Sequence, residues 1–388
     1  MDTVVIVGAS LAGLRAAQGL REEGHEGELV VVGEERAMPY DRPPLTKELL
    51  AGAVEADQIA LRGADEVDAR WELGRSAVAL DLGRRRVSLD DGRELAFDGL
   101  VIATGAKPRR LAAVDVAHPA VHELRTLDDA LALRAALAAG TRLVVVGTGF
   151  IGVEVASTAR ALGADVVMVS LDPPLAIAGA VATAEATRAL EANGVALHIG
   201  RVVSRIEGAG APVVVVLDDG TRLEGDAIVC AVGVTPATRW LRDSGLDVSD
   251  GVLCDERLAA VGAERIVAAG DVARWPNGRC GTAAGRIEHW TNATEQGRAA
   301  ARTLVYGRDA PAHRSLPLFW SDHFGRRMQS VGLPDAAERF EVQEDVAGNG
   351  ALAVAGYRDD RLVAGLTWSN PRALVALRAR LADPLLTP

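Results

Sequence analysis

The sequence TVVIVGASLAGLRAAQGLREEG at residues 3–24 decides the fold. An apolar run ends in a glycine turn that begins at Gly8, a helical stretch follows, and residues 28–33 form a second apolar run. Strand, glycine turn, helix and strand in this order are typical of a dinucleotide-binding unit. A second copy of the pattern occupies residues 141–170, with Gly147 in the place of Gly8. We therefore predict an α/β protein with two Rossmann-like dinucleotide-binding domains.

Further motifs divide the chain into domains. Apolar strands at Val101 and Ile228 each end in glycine and then proline, and each is predicted to close one nucleotide domain. Asp271 follows another apolar strand, which we assign to the first domain. The last part of the chain alternates like antiparallel strands and ends in a predicted helix that starts at Pro371. The predicted domains are a first nucleotide domain of residues 1–108 and 229–308, a second of residues 109–228, and a C-terminal α+β domain of residues 309–388.

The overall composition excludes several classes of protein. The chain of 388 residues exceeds the size of one hydrophobic core, and its net charge of -11 argues against broad binding to nucleic acid. It contains no apolar stretch long enough to cross a bilayer, and its first residues show no export signal, so we expect a cytoplasmic protein. Cys230, Cys254 and Cys280 lie too far apart for a redox pair or a metal site, so no metal is expected.

The first glycine turn departs from the usual pattern in its middle residue. Gly8, Ser10 and Gly13 form it, and serine stands where glycine usually lets the backbone approach a pyrophosphate. Glu34 and Glu35 end the next strand, and either could bind a ribose diol. A glycine turn of some other α/β fold is the alternative for this motif alone.

The second glycine turn is complete, with Gly147, Gly149 and Gly152. An acid at the end of the following strand usually binds the ribose of NAD, whereas an arginine nearby accepts the extra phosphate of NADP. Ser170 holds that position here, and Asp172 could accept a hydrogen bond from a hydroxyl group and would repel a phosphate. We therefore predict NADH as the nicotinamide cofactor, with NADPH as the alternative.

The stretch PYDRPPLTKELL at residues 39–50 is the most specific in the chain. Its prolines stiffen a loop that presents Arg42 and Lys47, and Thr46 is predicted to cap a following helix. Such a loop suits a bound anionic cofactor, while a surface loop with solvated charges is the alternative. Lys47 and Lys107 are the only lysines of an arginine-rich sequence, which favours a specific role for Lys47; chance is the alternative, above all for Lys107.

Taken together, these motifs resemble the FAD-dependent ferredoxin reductases of bacterial oxygenase systems, the putidaredoxin reductase type. The resemblance covers nearly the whole chain. It rests on VGASLAG, PYDRPPLTK, ATGAKPR, GTGFIGVE, AVGVTP, AAGDVA, EHWTNATEQG and FWSDHFG, in that order. It implies a glutathione-reductase-like fold with FAD in the first domain, NAD(P)H in the second, and a C-terminal domain that covers the flavin.

The resemblance also implies roles for individual residues. Arg42 would contact the flavin cofactor, Lys47 would lie beside the isoalloxazine near N5, and Glu154 would pair with Lys47. A lysine suits this place because a point charge stabilises the electron-rich reduced ring. Asp271 would bind the ribityl chain. The residues expected to bind the two cofactors are Gly8, Ser10, Leu11, Ala12, Gly13, Glu34, Glu35, Arg42, Lys47, Val78, Thr104, Gly105, Arg125, Gly147, Gly149, Phe150, Ile151, Gly152, Glu154, Ser170, Asp172, Val232, Gly233, Asp271, Glu288, His289 and Trp290.

The motif EHWTNATEQG completes the predicted site. Thr291 or Asn292 is predicted to cap a helix whose N-terminus points at the flavin, with Glu295 available for a capping box. Trp290 would lie near the ring and Trp320 close by, and core packing is the alternative for both tryptophans. The residues expected to act in catalysis are Lys47, Glu154, Trp290 and Trp320.

The implied reaction is hydride transfer from NADH to N5 of FAD, followed by release of single electrons to a [2Fe-2S] ferredoxin that feeds an oxygenase. Such ferredoxins are acidic, so local arginine clusters are candidate docking sites. Leu318 and His323 depart from WFWSDQ, the family's usual form, at positions connected with electron exit and ferredoxin recognition. The candidate clusters are Arg109 with Arg110, Arg326 with Arg327, and Arg298 with Arg302.

Other functions on the same fold stay open. A disulfide or peroxide reductase needs a cysteine facing the flavin, and residues 39–50 contain none. An NADH oxidase or quinone reductase, or a redox-sensing flavoprotein of the apoptosis-inducing-factor type, would use the same cofactors without a ferredoxin. We expect a monomer or weak homodimer, with neither nucleic acid nor a membrane as a partner.

Overall fold

The structure is a computed structural model that describes residues 1–278, 284–346 and 351–382. Cys280 therefore lies outside the described residues. Within those ranges no helix is both long and apolar enough to pass through a bilayer.

The first part of the chain builds a parallel sheet from the opening motif. Its apolar runs form strands that are buried on both faces, as expected for a parallel sheet covered by helices. β1 lies between β2 and β7 and pairs in parallel with both. The elements of this part are β1 (Thr3–Val7), α1 (Leu11–Glu22), β2 (Glu28–Gly33), β3 (Arg70–Leu73), β4 (Ala77–Asp81), β5 (Arg86–Leu89), β6 (Glu94–Ala96), β7 (Gly99–Ile102) and β8 (Ala106–Pro108).

The second part repeats this arrangement. Its parallel sheet has the order β12-β11-β10-β16-β9, and β10 lies between β11 and β16 as β1 lies between β2 and β7. The elements are β9 (Val121–Glu123), α2 (Leu127–Ala136), β10 (Arg142–Val146), α3 (Phe150–Ala161), β11 (Asp165–Ser170), α4 (Ala180–Ala192), β12 (Ala196–Ile199), β13 (Val203–Glu207), β14 (Val213–Leu217), β15 (Arg222–Gly225) and β16 (Ala227–Cys230).

The chain then returns to the first sheet. β19 pairs in parallel with β7, and α5 packs along α1 so closely that a Cβ on Gly297 would lie 2.6 Å from the backbone oxygen of Ala12. The elements of the return are β17 (Val234–Pro236), β18 (Val252–Leu253), β19 (Ile266–Ala268), β20 (Ala273–Arg274) and α5 (Trp290–Tyr306). The division into domains stays a prediction. The predicted boundary between residues 228 and 229 falls inside β16, which favours a boundary after Cys230.

The C-terminal part is an antiparallel sheet covered by one helix. The sheet has the order β21-β22-β25-β24-β23. Leu374 and Leu377 of the helix pack on one face, and Met328 and Trp368 on the other face join the core shared with α3. The second face of the sheet therefore packs against the nucleotide domains. The elements are β21 (Leu318–His323), β22 (Arg326–Gly332), β23 (Arg339–Val346), β24 (Ala351–Arg358), β25 (Arg361–Trp368) and α6 (Pro371–Ala382).

Candidate dinucleotide-binding and redox site

Both glycine turns are closed by backbone contacts that exclude a side chain. Gly8 has φ +123°, and a Cβ on it would lie 2.1 Å from the backbone oxygen of the residue after β7. A Cβ on Gly13 would lie 1.9 Å from the oxygen of Gly8. Gly147 and Gly152 repeat these contacts at 2.3 and 2.2 Å. The same glycines are therefore required in each turn so that the helix can start directly above the strand.

The middle residue of each turn faces open space or a polar partner. No heavy atom of the described residues lies within 4 Å of a Cβ built on Gly149. At the matching position in the first turn, Ser10 Oγ accepts a hydrogen bond from Arg42 Nε at 3.3 Å. Ser10 and Gly149 give no side-chain cap to the helix each precedes, within the part of the chain described, so the first backbone amides are available to an anion. Both turns fit the pyrophosphate of a dinucleotide.

The first amides of these two helices belong to predicted site residues. Leu11 and Ala12 begin α1, while Phe150 and Ile151 begin α3. Their backbone positions, rather than their side chains, suit a phosphate. The predicted cofactor roles of these four residues stay predictions.

Arg42 connects the loop of residues 39–50 to the first turn and to the end of β2. Its Nη2 donates to Glu35 Oε1 at 2.7 Å, and the hydroxyl of Tyr40 donates to the other oxygen of Glu35. Glu34 points elsewhere and forms an exposed ion pair with Lys107 at 2.8 Å. Glu35 is thus held by Arg42 and Tyr40, and Glu34 is the acid that is freer to meet a ribose diol.

Arg125 and Asp271 meet on the same side of the first sheet. Arg125 Nη2 donates to Asp271 Oδ2 at 2.7 Å, and Arg42 donates to the carbonyl oxygen of Arg125. Thr104 Oγ1 donates to the carbonyl oxygen of Ala237 at 2.9 Å, and Gly105 follows it with φ +65°. Motifs that are far apart in the sequence therefore converge beside the first glycine turn.

Lys47 and Glu154 form the predicted pair. Lys47 Nζ lies 2.6 Å from Glu154 Oε2, with side-chain exposures of 13% and 8%. The hydroxyl of Thr46 lies 2.5 Å from the same oxygen, while Ser321 Oγ donates to Oε1 at 2.7 Å and the amide of Asp322 at 3.3 Å. Glu154 thus receives donors from the loop of the first domain and from β21 of the C-terminal sheet. One buried carboxylate ties three parts of the chain together.

Trp290 is anchored by the same loop. Its Nε1 donates to Asp41 Oδ1 at 2.6 Å, and its ring meets that of Trp320 edge to face with centroids 6.0 Å apart. Burial raises the pKa of the Asp41 carboxyl above its usual value, although the bond from Trp290 opposes this shift. The two tryptophans therefore form one contact between α5 and β21.

Glu288, whose side chain is 39% exposed, and the partly buried His289 directly precede α5. Burial raises the pKa of Glu288, against the effect of Arg286, whose Nη1 donates to it at 2.5 Å. Burial lowers the pKa of His289 to about 4, and its ring packs on Phe319 with centroids 4.8 Å apart. Neutral His289 is therefore the form that the fold accepts.

Acidification is expected to weaken the fold through His289. Since its folded-state pKa of about 4 lies below the ordinary value of 6.5, the unfolded chain takes up the proton first as the pH falls. The stabilisation that neutral His289 contributes is fully present above pH 6.5 and is lost as the pH falls towards 4. Urea unfolding at pH 7.5 and 5.0 should show that His289→Gln loses less stability than the unaltered protein, by on the order of 1 kcal/mol. Equal losses in both proteins would contradict the assignment.

Two predicted helix caps are wrong. Thr46 ends a short 3-10 turn, Pro43–Thr46, and no helix follows it at residues 47–50, so its hydroxyl serves Glu154 instead. The helix α5 begins at Trp290 with His289 as its N-cap residue, which places Thr291 and Asn292 inside the first turn. The hydroxyl of Thr291 donates to the carbonyl oxygen of Leu318 on β21. It is therefore bound to a partner outside the helix instead of capping the helix.

The remaining predicted residues lie at the rims of the two units. Val78 is 51% exposed on β4. Ser170 ends β11, and Asp172 follows it with its backbone oxygen accepting from Thr148 Oγ1 at 2.9 Å. Val232 and Gly233 follow β16, and Gly233 accepts from the amide of Arg109 at 2.9 Å. The cofactor roles of these residues stay predictions.

Sequence reasoning did not predict the roles of three polar residues of the site. Asp41, Thr46 and Ser321 lie within the motifs of the family resemblance, but no local pattern shows that Asp41 accepts from Trp290 or that the two hydroxyls donate to Glu154. Only the occurrence of these residues inside the most specific motifs could have drawn attention to them.

Two Rossmann-like units with glycine turns open to anions, joined by a buried lysine-carboxylate pair, define an oxidoreductase that uses two dinucleotides. Residues 2–297 match the family described as pyridine nucleotide-disulphide oxidoreductase, and residues 318–384 match the family described as reductase C-terminal. The chain belongs to the pyridine nucleotide-disulphide oxidoreductase family.

Similar proteins extend over the whole chain. Rhodocoxin reductase of Rhodococcus erythropolis is 34% identical over 100% of this chain and 91% of its own length. The ferredoxin-NAD(+) reductase component of the p-cumate 2,3-dioxygenase system of Pseudomonas putida is 36% identical, over 100% and 97%. The crystal structure of the covalent putidaredoxin reductase-putidaredoxin complex matches with a TM-score of 0.92 and 32% identity, covering 98% of this chain and 93% of that chain. The predicted family resemblance and fold class are confirmed.

Proposed function

We propose that the chain is an FAD-dependent NADH:ferredoxin reductase that supplies electrons to an oxygenase through a [2Fe-2S] ferredoxin. The buried Lys47–Glu154 pair carries the proposal, because it places one fixed positive charge where the loop of the first unit meets α3 of the second. The relatives named above, two reductases and a reductase complex, support it. Bound FAD would accept a hydride from the nicotinamide and deliver its two electrons singly.

The residues of the chain position and stabilise rather than exchange protons. The two glycine turns would hold the two pyrophosphates on helix N-termini. Lys47 would stabilise negative charge that develops on the reduced ring, and Glu154 keeps the ammonium group in place with its remaining bonds to Thr46 and Ser321. Water is restricted at this point because Glu154 is buried and the side chain of Lys47 is only 13% exposed.

The cysteines favour electron transfer over disulfide chemistry. Cys230 and Cys254 are free and buried, and burial raises the pKa of Cys230 to about 11 and that of Cys254 to about 12. Thiols with such pKa values supply little thiolate near neutral pH and are poor nucleophiles. Free thiols also suit a reducing compartment, so we propose the cytoplasm as the location.

A basic groove between α5 and α6 is the ferredoxin-docking surface that we favour. It is a cavity of about 530 Å³ whose lining includes Arg298, Arg302, Arg314 and Arg378. Arg298 and Trp290 lie on the same helix, α5, about 12 Å apart along its axis. An acidic protein seated there would approach the Trp290–Trp320 contact, and opposite charges across such a surface speed association.

The other two arginine clusters are less suited to docking. Arg326 pairs with Glu185 at 2.9 Å, and Arg327 binds both oxygens of Asp322 at 2.7 and 2.9 Å. Arg110 lies 3.6 Å from Glu123. Arg298 and Arg302 also have acidic neighbours at the C-terminal end of α1, but the groove adds two further arginines to them.

Charge reversal in the basic groove is expected to weaken ferredoxin binding. Arg298→Glu should raise the KM for ferredoxin on the order of 10-fold, because one attractive contact becomes repulsive. The effect should shrink as salt is added. Steady-state reduction of cytochrome c through ferredoxin measures it, with ferricyanide reduction as a check that the flavin still accepts electrons from NADH. Arg205→Glu, on the distant strand β13, is the matched control, and equal effects of both variants would refute the docking surface.

Stopped-flow absorbance tests the proposed function. The purified protein should be yellow, and NADH should bleach it rapidly. Slow bleaching with a long-lived complex between the reduced flavin and NAD⁺ would indicate a redox-sensing flavoprotein instead. Fast bleaching followed by equally fast reoxidation by oxygen or a quinone would indicate an oxidase or quinone reductase.

A further inference from the structure

The second parallel sheet brings an arginine beside the expected ribose position. Ser170 ends β11, and Arg201 follows β12, the neighbouring strand. The backbone amide of Arg201 donates to the carbonyl oxygen of Ser170 at 3.2 Å. Because α4 and β12 separate the two residues in the sequence, inspection of the residues around Ser170 does not reveal this arginine. The fold therefore brings the backbone of Arg201 to the edge where the adenosine ribose of a nicotinamide dinucleotide binds.

The side chain of Arg201 is available to a ligand. Its Nε lies 2.8 Å from Asp219 Oδ2, and the two side chains are 43% and 32% exposed. An ion pair this exposed contributes little, whereas a phosphate takes a planar guanidinium in a bidentate, charge-assisted contact. Asp219 also accepts from the amide of Thr221 at 2.9 Å, so it keeps a partner when Arg201 turns away.

Ser170 does not oppose a phosphate at this edge. Its neutral side chain stands where a carboxylate would both bind the ribose diol of NADH and repel the 2′-phosphate of NADPH. Asp172 is exposed two residues further on, and its repulsion acts through solvent, where it is weak and screened by salt. The balance of charge at the strand ends therefore admits a phosphate.

We propose that Arg201 and Ser170 set the nucleotide specificity of this reductase, and that the second site accepts NADPH as well as NADH. Arg201 binds the 2′-phosphate of NADPH, and Ser170 leaves room for it. The proposal rests on the proposed function, since the same hydride passes from either nicotinamide to FAD. The 2′-phosphate takes no part in the chemistry, so the effect is one of binding.

Calorimetric titration of the FAD-loaded protein with adenosine 2′,5′-bisphosphate and with 5′-AMP tests the proposal without turnover. The unaltered protein should bind the bisphosphate more tightly than 5′-AMP. Arg201→Gln should weaken the bisphosphate by about 10-fold to 100-fold and leave 5′-AMP unchanged, as expected for the loss of one charge-assisted contact. Ser170→Glu should weaken the bisphosphate and tighten 5′-AMP.

Arg222→Gln is the matched control. Arg222 forms a similarly exposed pair with Glu207 at 2.7 Å in the sheet β13-β14-β15. The substitution therefore removes the same charge from a sheet that does not contain Ser170. It should leave both affinities unchanged. The ratio of kcat/KM for NADPH to that for NADH, measured with ferricyanide, should fall in Arg201→Gln by the same factor as the bisphosphate affinity.

The proposal is overturned if the protein binds the bisphosphate no more tightly than 5′-AMP, or if Arg201→Gln and Arg222→Gln change its affinity equally. A loss of affinity for both ligands in Arg201→Gln would also overturn it, since that would indicate a general disturbance of the site. The titration needs neither ferredoxin nor electron transfer. Its outcome is therefore distinguishable from a failure of the proposed ferredoxin reductase activity.

Discussion

Replacement of Lys47 by methionine is expected to slow the reduction of the bound flavin by NADH by about 100-fold and to lower the free energy of unfolding by about 3 kcal/mol. The first effect is expected because Lys47 would place a fixed positive charge beside the bound flavin ring. The second follows because the Glu154 carboxylate would lie buried without its cation partner. Thr46, Ser321 and the amide of Asp322 still donate to Glu154, which places the loss at the lower end for a broken buried pair.

The other lysine of the chain provides the control. Lys107 also pairs with a glutamate, Glu34, but the two side chains are 60% and 61% exposed. Lys107→Met should therefore change the free energy of unfolding by less than about 1 kcal/mol and leave the reduction rate unaltered. Stopped-flow absorbance and urea unfolding measure the two quantities. If Lys47→Met behaves like Lys107→Met, the pair has neither the structural nor the electrostatic role that we assign to it.

Substitution of Gly149 by alanine should raise the KM for NADH at least about 10-fold, because a methyl group in the open middle of the turn overlaps a bound pyrophosphate. The fold itself has room for this methyl group, since no heavy atom of the residues described lies within 4 Å of its position. The free energy of unfolding should therefore change by less than about 1 kcal/mol, and the FAD content should be unchanged.

A second alanine in the same turn separates binding from folding. A Cβ on Gly152 would lie 2.2 Å from the backbone oxygen of Gly147, so Gly152→Ala should lower the free energy of unfolding by about 2 kcal/mol or more. Steady-state kinetics and urea unfolding of both variants test the contrast. An unchanged KM in Gly149→Ala would show that the second turn tolerates a side chain, as the first turn does with Ser10.

The two nucleotide units could be predicted from the sequence because their constraints are local. The apolar runs before Gly8 and Gly147 are long enough for a buried strand, and each glycine lies where the backbone of the adjoining strand leaves no room for a Cβ. The Lys47–Glu154 pair was predictable only through the family resemblance. No spacing rule relates a loop lysine to a helical glutamate on another unit.

The misplaced helix starts and the arginine beside Ser170 depend on tertiary contacts. Thr291 and Asn292 are both good cap residues, but β21 and the chain before α5 take their side chains. Arg201 approaches Ser170 only because β12 lies next to β11 in the sheet. A local pattern indicates a strand without showing which strand it will adjoin.

Reduction of cytochrome c by NADH, followed as a function of [2Fe-2S] ferredoxin concentration, tests the central claim most directly. We predict a rate that is negligible without ferredoxin, rises with its concentration to saturation, and declines with added salt. A rate that is the same with and without ferredoxin, in a protein whose flavin NADH bleaches rapidly, would contradict the claim that this chain passes electrons to a ferredoxin.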